Sequence, residues 1–197
     1  MSGSQRWTFA GGMAATVGGV GWSAKATGLM IAGLQPPIVY EVAPLFFPVA
    51  IAGLYALIEG RRSGLARAGL AVGAVAELCA LLSVLGLLLG PTEWSPTGDS
   101  VTVLSPFIAL SALGTILGLL LVGIVVRRTA CLPGWWKNFP MFFAVSVVPL
   151  IASSAVLKAI NERLFELPTL LIGLEWIVLG AVMARRCLLP DAPRPST

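Results

Sequence analysis

The sequence predicts an all-α integral membrane protein, a six-transmembrane-helix bundle, from its composition and the spacing of its apolar segments. The chain of 197 residues is 57% hydrophobic and only 11% charged, whereas soluble domains carry about 25% charged residues. A helix needs ~20 mostly apolar residues to cross a bilayer. Six segments fit this requirement: about 9–34, 43–59, 67–90, 103–126, 139–157 and 167–184. Because the connections between them are short, we expect residues 1–197 to form a single transmembrane domain.

The first segment is rich in glycine and contains Lys25. Together with "AKA" at residues 24–26, it imitates a signal peptide that ends in a small-residue cleavage site. Its glycine content differs from the apolar core of such a peptide, so we expect the segment to be retained. Small residues recur every fourth position here (Gly11, Ala15, Gly19, Ser23), and Gly69 and Gly73 precede Glu77 in the third segment. This spacing allows neighbouring helices to approach closely.

The second, fourth and sixth segments share a pattern. Each begins near a proline and ends in an arginine pair: Pro44, Pro106 and Pro168, then Arg61-Arg62, Arg127-Arg128 and Arg185-Arg186. One interpretation is three helical hairpins of the same orientation, with a parallel internal repeat of the kind transporters use. The other is that any membrane helix places proline at its start and arginine at its cytoplasmic end. The sequence leaves both interpretations open.

The fifth segment contains Pro149, which cannot donate a hydrogen bond to the carbonyl of Val145 and is expected to kink the helix. Ser146 and Ser153 lie close to it on the helical wheel. A broken helix at mid-membrane can bind ions through its free carbonyl groups. Kinks without a binding function also occur in membrane helices.

The distribution of charge predicts the orientation. Ten of the thirteen basic residues lie at the N-terminus, in "EGRRSGLAR", in "RRTACLPGWWKN" and in the tail, whereas the alternate connections are acidic. By the positive-inside rule, both termini are cytoplasmic. We therefore expect a multi-pass protein of the cell membrane, meaning the plasma or inner membrane.

Three ionisable residues fall inside the predicted spans: Lys25, Glu77 and Glu175. Each lies ten residues from a membrane surface, which corresponds to ~15 Å, the middle of a ~30 Å hydrocarbon core. Each would cost about 2.5 to 3.5 kcal/mol at a helix centre. We therefore expect all three to face inward, with Lys25 paired to one glutamate and the other glutamate holding or exchanging a proton.

Two roles are open for these groups. They could form a fixed buried ion pair that holds helices one, three and six together, or they could form a transport site. Trp22 and Trp176 neighbour two of them. These rings could form a cation-π wall around a ligand or could simply fill the core.

Several functional classes are excluded or disfavoured. The chain has no histidine, which excludes a bis-histidine haem and a Ser-His-Asp triad. Three scattered cysteines suggest neither a disulfide framework nor a zinc site. The basic residues form no stripe for nucleic acid. We expect no metal and no cofactor.

The first hypothesis is therefore binding or transport of a small solute or ion, with proton coupling, through Lys25, Glu77 and Glu175, with Trp22, Trp176, Ser146, Pro149 and Ser153 nearby. In layout alone, such a chain resembles the substrate-binding subunits of energy-coupling-factor vitamin transporters. The second hypothesis is an accessory subunit that docks a partner membrane subunit or forms a homo-oligomer. The third is an enzyme that acts on a lipid or isoprenoid by carboxylate acid-base chemistry.

Overall fold

The computed structural model describes residues 2–34, 42–58, 63–89, 93–94, 100–101, 104 and 106–188. Within these residues the chain is almost wholly helical. The six α-helices are α1 (Gly3–Ala32), α2 (Phe46–Leu57), α3 (Gly64–Leu89), α4 (Pro106–Thr129), α5 (Phe139–Ile160) and α6 (Leu167–Leu188). Single 3₁₀ segments precede α2, α5 and α6: Ala43–Leu45, Gly134–Asn138 and Glu162–Glu166. A two-residue antiparallel pair, β1 (Glu93–Trp94) and β2 (Ser100–Val101), lies between α3 and α4.

Parts of the predicted connections lie outside the described residues. These are 35–41, 59–62, most of 90–105 and the tail from 189 onward, and they include Arg61-Arg62. The prolines that predicted helix starts are described. Pro44 lies in the segment before α2, Pro106 is the first residue of α4, and Pro168 is the second of α6.

The membrane prediction is confirmed for four helices by their length and composition. The spans Gly64–Leu89, Pro106–Thr129, Gly134–Ile160 and Glu162–Leu188 are each long and apolar enough to cross a bilayer. α2 belongs to a shorter apolar segment, Ala43–Leu57. α1 has 30 residues, but its many glycine, serine and threonine residues make it less apolar than those four. Six crossings therefore remain a prediction.

α1 begins six residues earlier than predicted because a capping box starts it. The Ser2 hydroxyl accepts a hydrogen bond from the backbone N–H of Gln5 at 3.2 Å, and the side-chain oxygen of Gln5 accepts one from the backbone N–H of Ser2 at 2.8 Å. This reciprocal pair satisfies two backbone donors that would otherwise lack partners. The signal is present in the sequence as "SGSQ".

α2 lies at the centre of the bundle, packed against α1, α3 and α4. Ala50, Ile51 and Leu54 are fully buried. Because the other helices surround α2, its sequence is apolar on nearly every side. Its short length is consistent with a helix enclosed by protein.

α1 and α6 pack along most of their length through glycine. A Cβ added to Gly19 would lie 2.5 Å from the carbonyl oxygen of Gly173, and one added to Gly12 would lie 2.9 Å from that of Gly180. Any side chain at these positions would force the helices apart. The two contacts run antiparallel, so Lys25, six residues beyond Gly19, faces Leu167, the first residue of α6.

The outer surface of the bundle is apolar. Large exposed side chains follow one another on α3, α4 and α5, and they include Leu78, Leu85, Leu113, Leu117, Val148 and Ile151. Contiguous apolar surface of this kind is unfavourable in water and is suited to lipid. The structure therefore supports a membrane-embedded protein.

Candidate functional site

Lys25 forms an ion pair with Glu166. The Lys25 Nζ lies 3.8 Å from Glu166 Oε1, and both side chains are buried. The sequence predicted Glu77 or Glu175 as the partner of Lys25. The structure corrects that prediction, because it pairs Lys25 with Glu166, which belongs to the acidic connection before α6.

Helix register explains this correction. The sequence places Lys25 ten residues from a membrane surface, whereas α1 ends at Ala32, only about 10 Å from Lys25. The 3₁₀ segment Glu162–Glu166 places the Glu166 carboxylate directly before the start of α6. By the same register Glu175 lies at the level of Val17, about 12 Å along the axis from Lys25. Lys25 therefore lies near one end of α6 and not at the level of Glu175.

Glu175 has a different partner, the hydroxyl of Ser146 on α5. The Ser146 oxygen lies 3.0 Å from both carboxyl oxygens of Glu175 and 2.8 Å from the carbonyl oxygen of Phe143. A serine hydroxyl has one hydrogen, so it can donate to the carboxylate or to the backbone, but not to both. With Glu175 ionised, Ser146 donates to it. With Glu175 protonated, its carboxylic O–H donates a hydrogen bond to the Ser146 oxygen, and the Ser146 hydroxyl donates to the carbonyl oxygen of Phe143.

This pair lies in a groove between α5 and α6. The groove has a volume of about 540 Å³, and its lining includes Ser146, Pro149, Ser153 and Glu175. These four predicted residues thus lie together.

The groove opens outward, because Phe142 and Leu174 on its walls are exposed. The expectation that Glu175 faces the interior is corrected: the side chain is half-buried at the outer surface, where Ser146 supplies its polar contact. α5 is continuous through Pro149, so the expected kink does not end the helix.

Glu77 lies elsewhere, on α3, which packs mainly on α4 and α2. Its side chain is half-buried, and Oε2 has no hydrogen-bond partner among the described residues. The structure therefore does not show Lys25, Glu77 and Glu175 as one contacting cluster.

A separate cavity at the centre of the bundle is lined by four aromatic rings. Phe47 stacks on Trp176 with a centroid distance of 4.4 Å and meets the edge of Trp22 at 5.1 Å. Phe143 meets Trp176 edge-on at 4.8 Å. The predicted pair Trp22 and Trp176 thus lies on one wall, separated by Phe47. Among the residues that the structure describes, no ionisable side chain lines this cavity.

Three residues that line the cavity carry buried hydrogen-bonding atoms without partners in the described part of the chain. They are Trp22 Nε1, Ser111 Oγ and Thr115 Oγ1. The side chains of Ser111 and Thr115 are buried, at 0% and 4% exposure. A buried polar group without a partner costs about 1 to 3 kcal/mol. The cavity volume is about 50 Å³, room for a few water-sized groups.

Sequence reasoning missed most of this cavity. Ser111 and Thr115 lie four residues apart in "ALSALGTILG", and that spacing places both hydroxyls on one face of α4. The signal was therefore available. Phe47 and Phe143 carried no such signal, because phenylalanines are ordinary in membrane helices.

The cavity and the groove share their walls. Phe143 and Ser146 are one turn apart on α5, and Glu175 and Trp176 are adjacent on α6. The rings face the cavity, while the hydroxyl and carboxyl face the groove. α5 and α6 thus separate a neutral aromatic cavity from a titratable pair.

Comparison with known proteins gives no relative: no family model, no curated protein and no solved structure matches the chain. Within the described ranges, no three side chains of the metal-binding types lie close enough to hold a metal ion. Function must therefore be argued from the cavity and the groove themselves.

Proposed function

We propose that this protein binds a small neutral solute in the central cavity and carries it across the membrane, with Glu175 as the proton-binding group. The observation that carries the proposal is that three residues lining an aromatic cavity carry buried, unpartnered polar atoms: Trp22 Nε1, Ser111 Oγ and Thr115 Oγ1. Ligand sites are mostly apolar cavities with a few such groups aimed inward.

The lining determines the chemical class of the solute. An indole N–H only donates a hydrogen bond, and hydroxyls can donate or accept, so the solute must offer an acceptor oxygen or nitrogen. The described lining contains no charged side chain to balance an ion, and burying an uncompensated ion is very costly. The volume of about 50 Å³ suits a molecule of the size of formamide or urea.

Proton coupling is supported by the position of Glu175. Its two hydrogen-bonding arrangements with Ser146 correspond to its two protonation states. Ser146 is one turn from Phe143, and Glu175 is next to Trp176, so a change at this pair alters the contact between the two rings. In this proposal Lys25 and Glu166 stabilise the bundle and do not bind the solute.

The proposed function also requires that the bundle cross the membrane. Six crossings place both termini in the cytoplasm of the plasma or inner membrane, which agrees with the distribution of basic residues. With that topology, α1 and α2 separate the cavity from lipid on one side and α4, α5 and α6 on the other.

The test is solute permeation into proteoliposomes, measured by light scattering after mixing with formamide, urea or sucrose. The wild type should admit formamide or urea faster than empty vesicles and should exclude sucrose. Thr115→Val keeps the shape of the side chain and removes its hydroxyl. It should slow permeation about two- to tenfold, the net worth of one hydrogen bond. Ser83→Ala is the control, because Ser83 is buried but lies outside the cavity lining.

A second readout uses a pH-sensitive dye inside the same vesicles. A solute gradient should change the internal pH with the wild type, and Glu175→Gln should abolish that change because an amide cannot exchange a proton. Glu77→Gln, an equally half-buried carboxyl without a serine partner, should retain it. Wild-type vesicles that behave like empty ones in both readouts contradict the proposal.

A further inference from the structure

A third pocket, besides the groove and the central cavity, lies at the end of α6 that carries Arg185 and Arg186. It has a volume of about 570 Å³ and is lined by the turn that precedes α5 and by the last turns of α6. The lining residues are Pro133, Gly134, Trp135, Trp136, Val178, Ala181, Val182, Arg185 and Arg186. Two guanidinium groups and two indole rings thus border one pocket, and the described residues of its lining include no acidic side chain.

The turn holds the tryptophans in position. Ala130 and Gly134 both adopt the left-handed conformation, with φ of 51° and 56°, which is uncommon for a residue with a side chain. Trp135 packs against Trp136 and Phe142 with centroid distances of 6.1 and 6.0 Å. The two indole rings remain 56% and 40% exposed, as is typical of rings at a membrane interface.

This pocket continues into the groove between α5 and α6. Val178 lines both, and Trp135 of the pocket contacts Phe142 of the groove. From Arg186 to Leu171, the combined cleft follows α6 for about 22 Å. That distance reaches from the headgroup region past the middle of a ~30 Å core. One end of the cleft is cationic, and the rest is largely apolar.

We propose that this cleft binds one anionic phospholipid, with its headgroup phosphate at Arg185 and Arg186 and an acyl chain in the groove. Guanidinium groups bind phosphate oxygens in pairs of hydrogen bonds, and interfacial tryptophans pack against the glycerol region. Charge complementarity at one end and apolar walls at the other fit a lipid better than a water-soluble anion. The cleft is separate from the proposed solute cavity, but its groove contains Glu175, the proton-binding group of the proposed function.

The test is lipid binding to the purified full chain, measured by native mass spectrometry. Phosphatidylglycerol and phosphatidylcholine with identical acyl chains are titrated in parallel. The wild type should prefer phosphatidylglycerol about tenfold, since each basic residue near an anionic headgroup contributes severalfold. Arg185→Gln with Arg186→Gln should remove the preference. Arg127→Gln with Arg128→Gln removes the same charge from the end of α4, outside the pocket, and should retain it.

The groove is tested separately. Leu174→Trp fills the groove and should weaken binding of both lipids, whereas Leu113→Trp on the exposed face of α4 should not. Glycerol phosphate, which has the headgroup chemistry without acyl chains, should compete poorly.

The proposal is overturned if the wild type shows no preference for phosphatidylglycerol, or if both arginine double variants lose that preference equally. It is also overturned if glycerol phosphate competes fully with the lipid. A last contrary outcome is that the wild type is a dimer which Leu174→Trp dissociates without changing lipid binding. Thr115→Val should leave the lipid preference unchanged, so failure of the solute proposal and failure of this one are distinguishable.

Discussion

At the residue scale, the polar groups of the bundle differ in the kind of partner that each one contacts. Lys25 is matched by a carboxylate, Glu175 by a hydroxyl, and Ser111 and Thr115 by no atom of the described chain. A buried ion pair contributes little net stability, but leaving one of its members alone is costly. An unpartnered hydroxyl pair beside a cavity is more informative about binding than the ion pair is.

Lys25→Met should therefore destabilise the protein by about 3 to 5 kcal/mol, because it leaves the Glu166 carboxylate buried and uncompensated. Glu166→Gln in the same chain should recover most of this loss, since it removes the remaining charge. The measurement is the free energy of unfolding in mixed detergent and SDS micelles, arranged as a double-mutant cycle.

The matched control is Lys158→Met. Lys158 is exposed at the end of α5, and its Nζ lies 5.6 Å from the ring centroid of Phe165. An exposed cation-π contact contributes only about 0.5 to 1 kcal/mol. Equal losses for Lys25→Met and Lys158→Met would show that the Lys25–Glu166 pair is not buried in the membrane-embedded protein.

At the element scale, contact between α1 and α6 determines which residues can meet. Gly19 and Gly173 fix the register, and that register places Lys25 beside the start of α6. The sequence predicted small residues at a close helix contact but could not say which helix they face. Gly11 in fact faces Gly53 of α2, whereas Gly12 faces α6. The partner of Lys25 was for this reason beyond sequence reasoning.

The groove residues were more predictable. Ser146, Pro149 and Ser153 share one face of a single helix, so their proximity follows from the helical period alone. Only the addition of Glu175 required knowledge that α5 and α6 are neighbours. Helix positions followed from apolar length and proline, whereas the start of α1 depended on the capping box, which periodicity does not detect.

Gly19→Ala should destabilise the protein, because the new methyl group would lie 2.5 Å from the carbonyl oxygen of Gly173. Overpacking of this kind costs about 1 to 3 kcal/mol. The control is Gly64→Ala, where no atom lies within 4 Å of the added methyl group. The thermal unfolding midpoint in detergent should fall for the first variant and stay level or rise for the second. A fall of similar size in both would contradict the proposed role of this glycine contact.

At the scale of the whole molecule, the open question is whether α1 and α2 cross the membrane together with the four apolar helices. α1 packs along α6 from Gly12 beside Gly180 to Lys25 beside Glu166. A helix that lies alongside a spanning helix over this length must occupy the same depth. Its modest hydropathy is tolerated because α2 and α6 cover much of its surface, while its exposed positions carry Met13, Val17 and Val20.

We therefore predict that Leu34 lies on the face opposite Ser2 and Ser63. The test uses single-cysteine variants at these three positions and at Asn161, made after Cys79, Cys131 and Cys187 are replaced, and labels intact cells with an impermeant maleimide. Six crossings expose Leu34→Cys and Asn161→Cys to the reagent and protect Ser2→Cys and Ser63→Cys until the membrane is permeabilised. If only the four apolar helices cross, Leu34→Cys is protected like Ser2→Cys, whereas Asn161→Cys still reacts. Labelling at Leu34 alone thus distinguishes six crossings from four, since every other position gives the same result in both topologies.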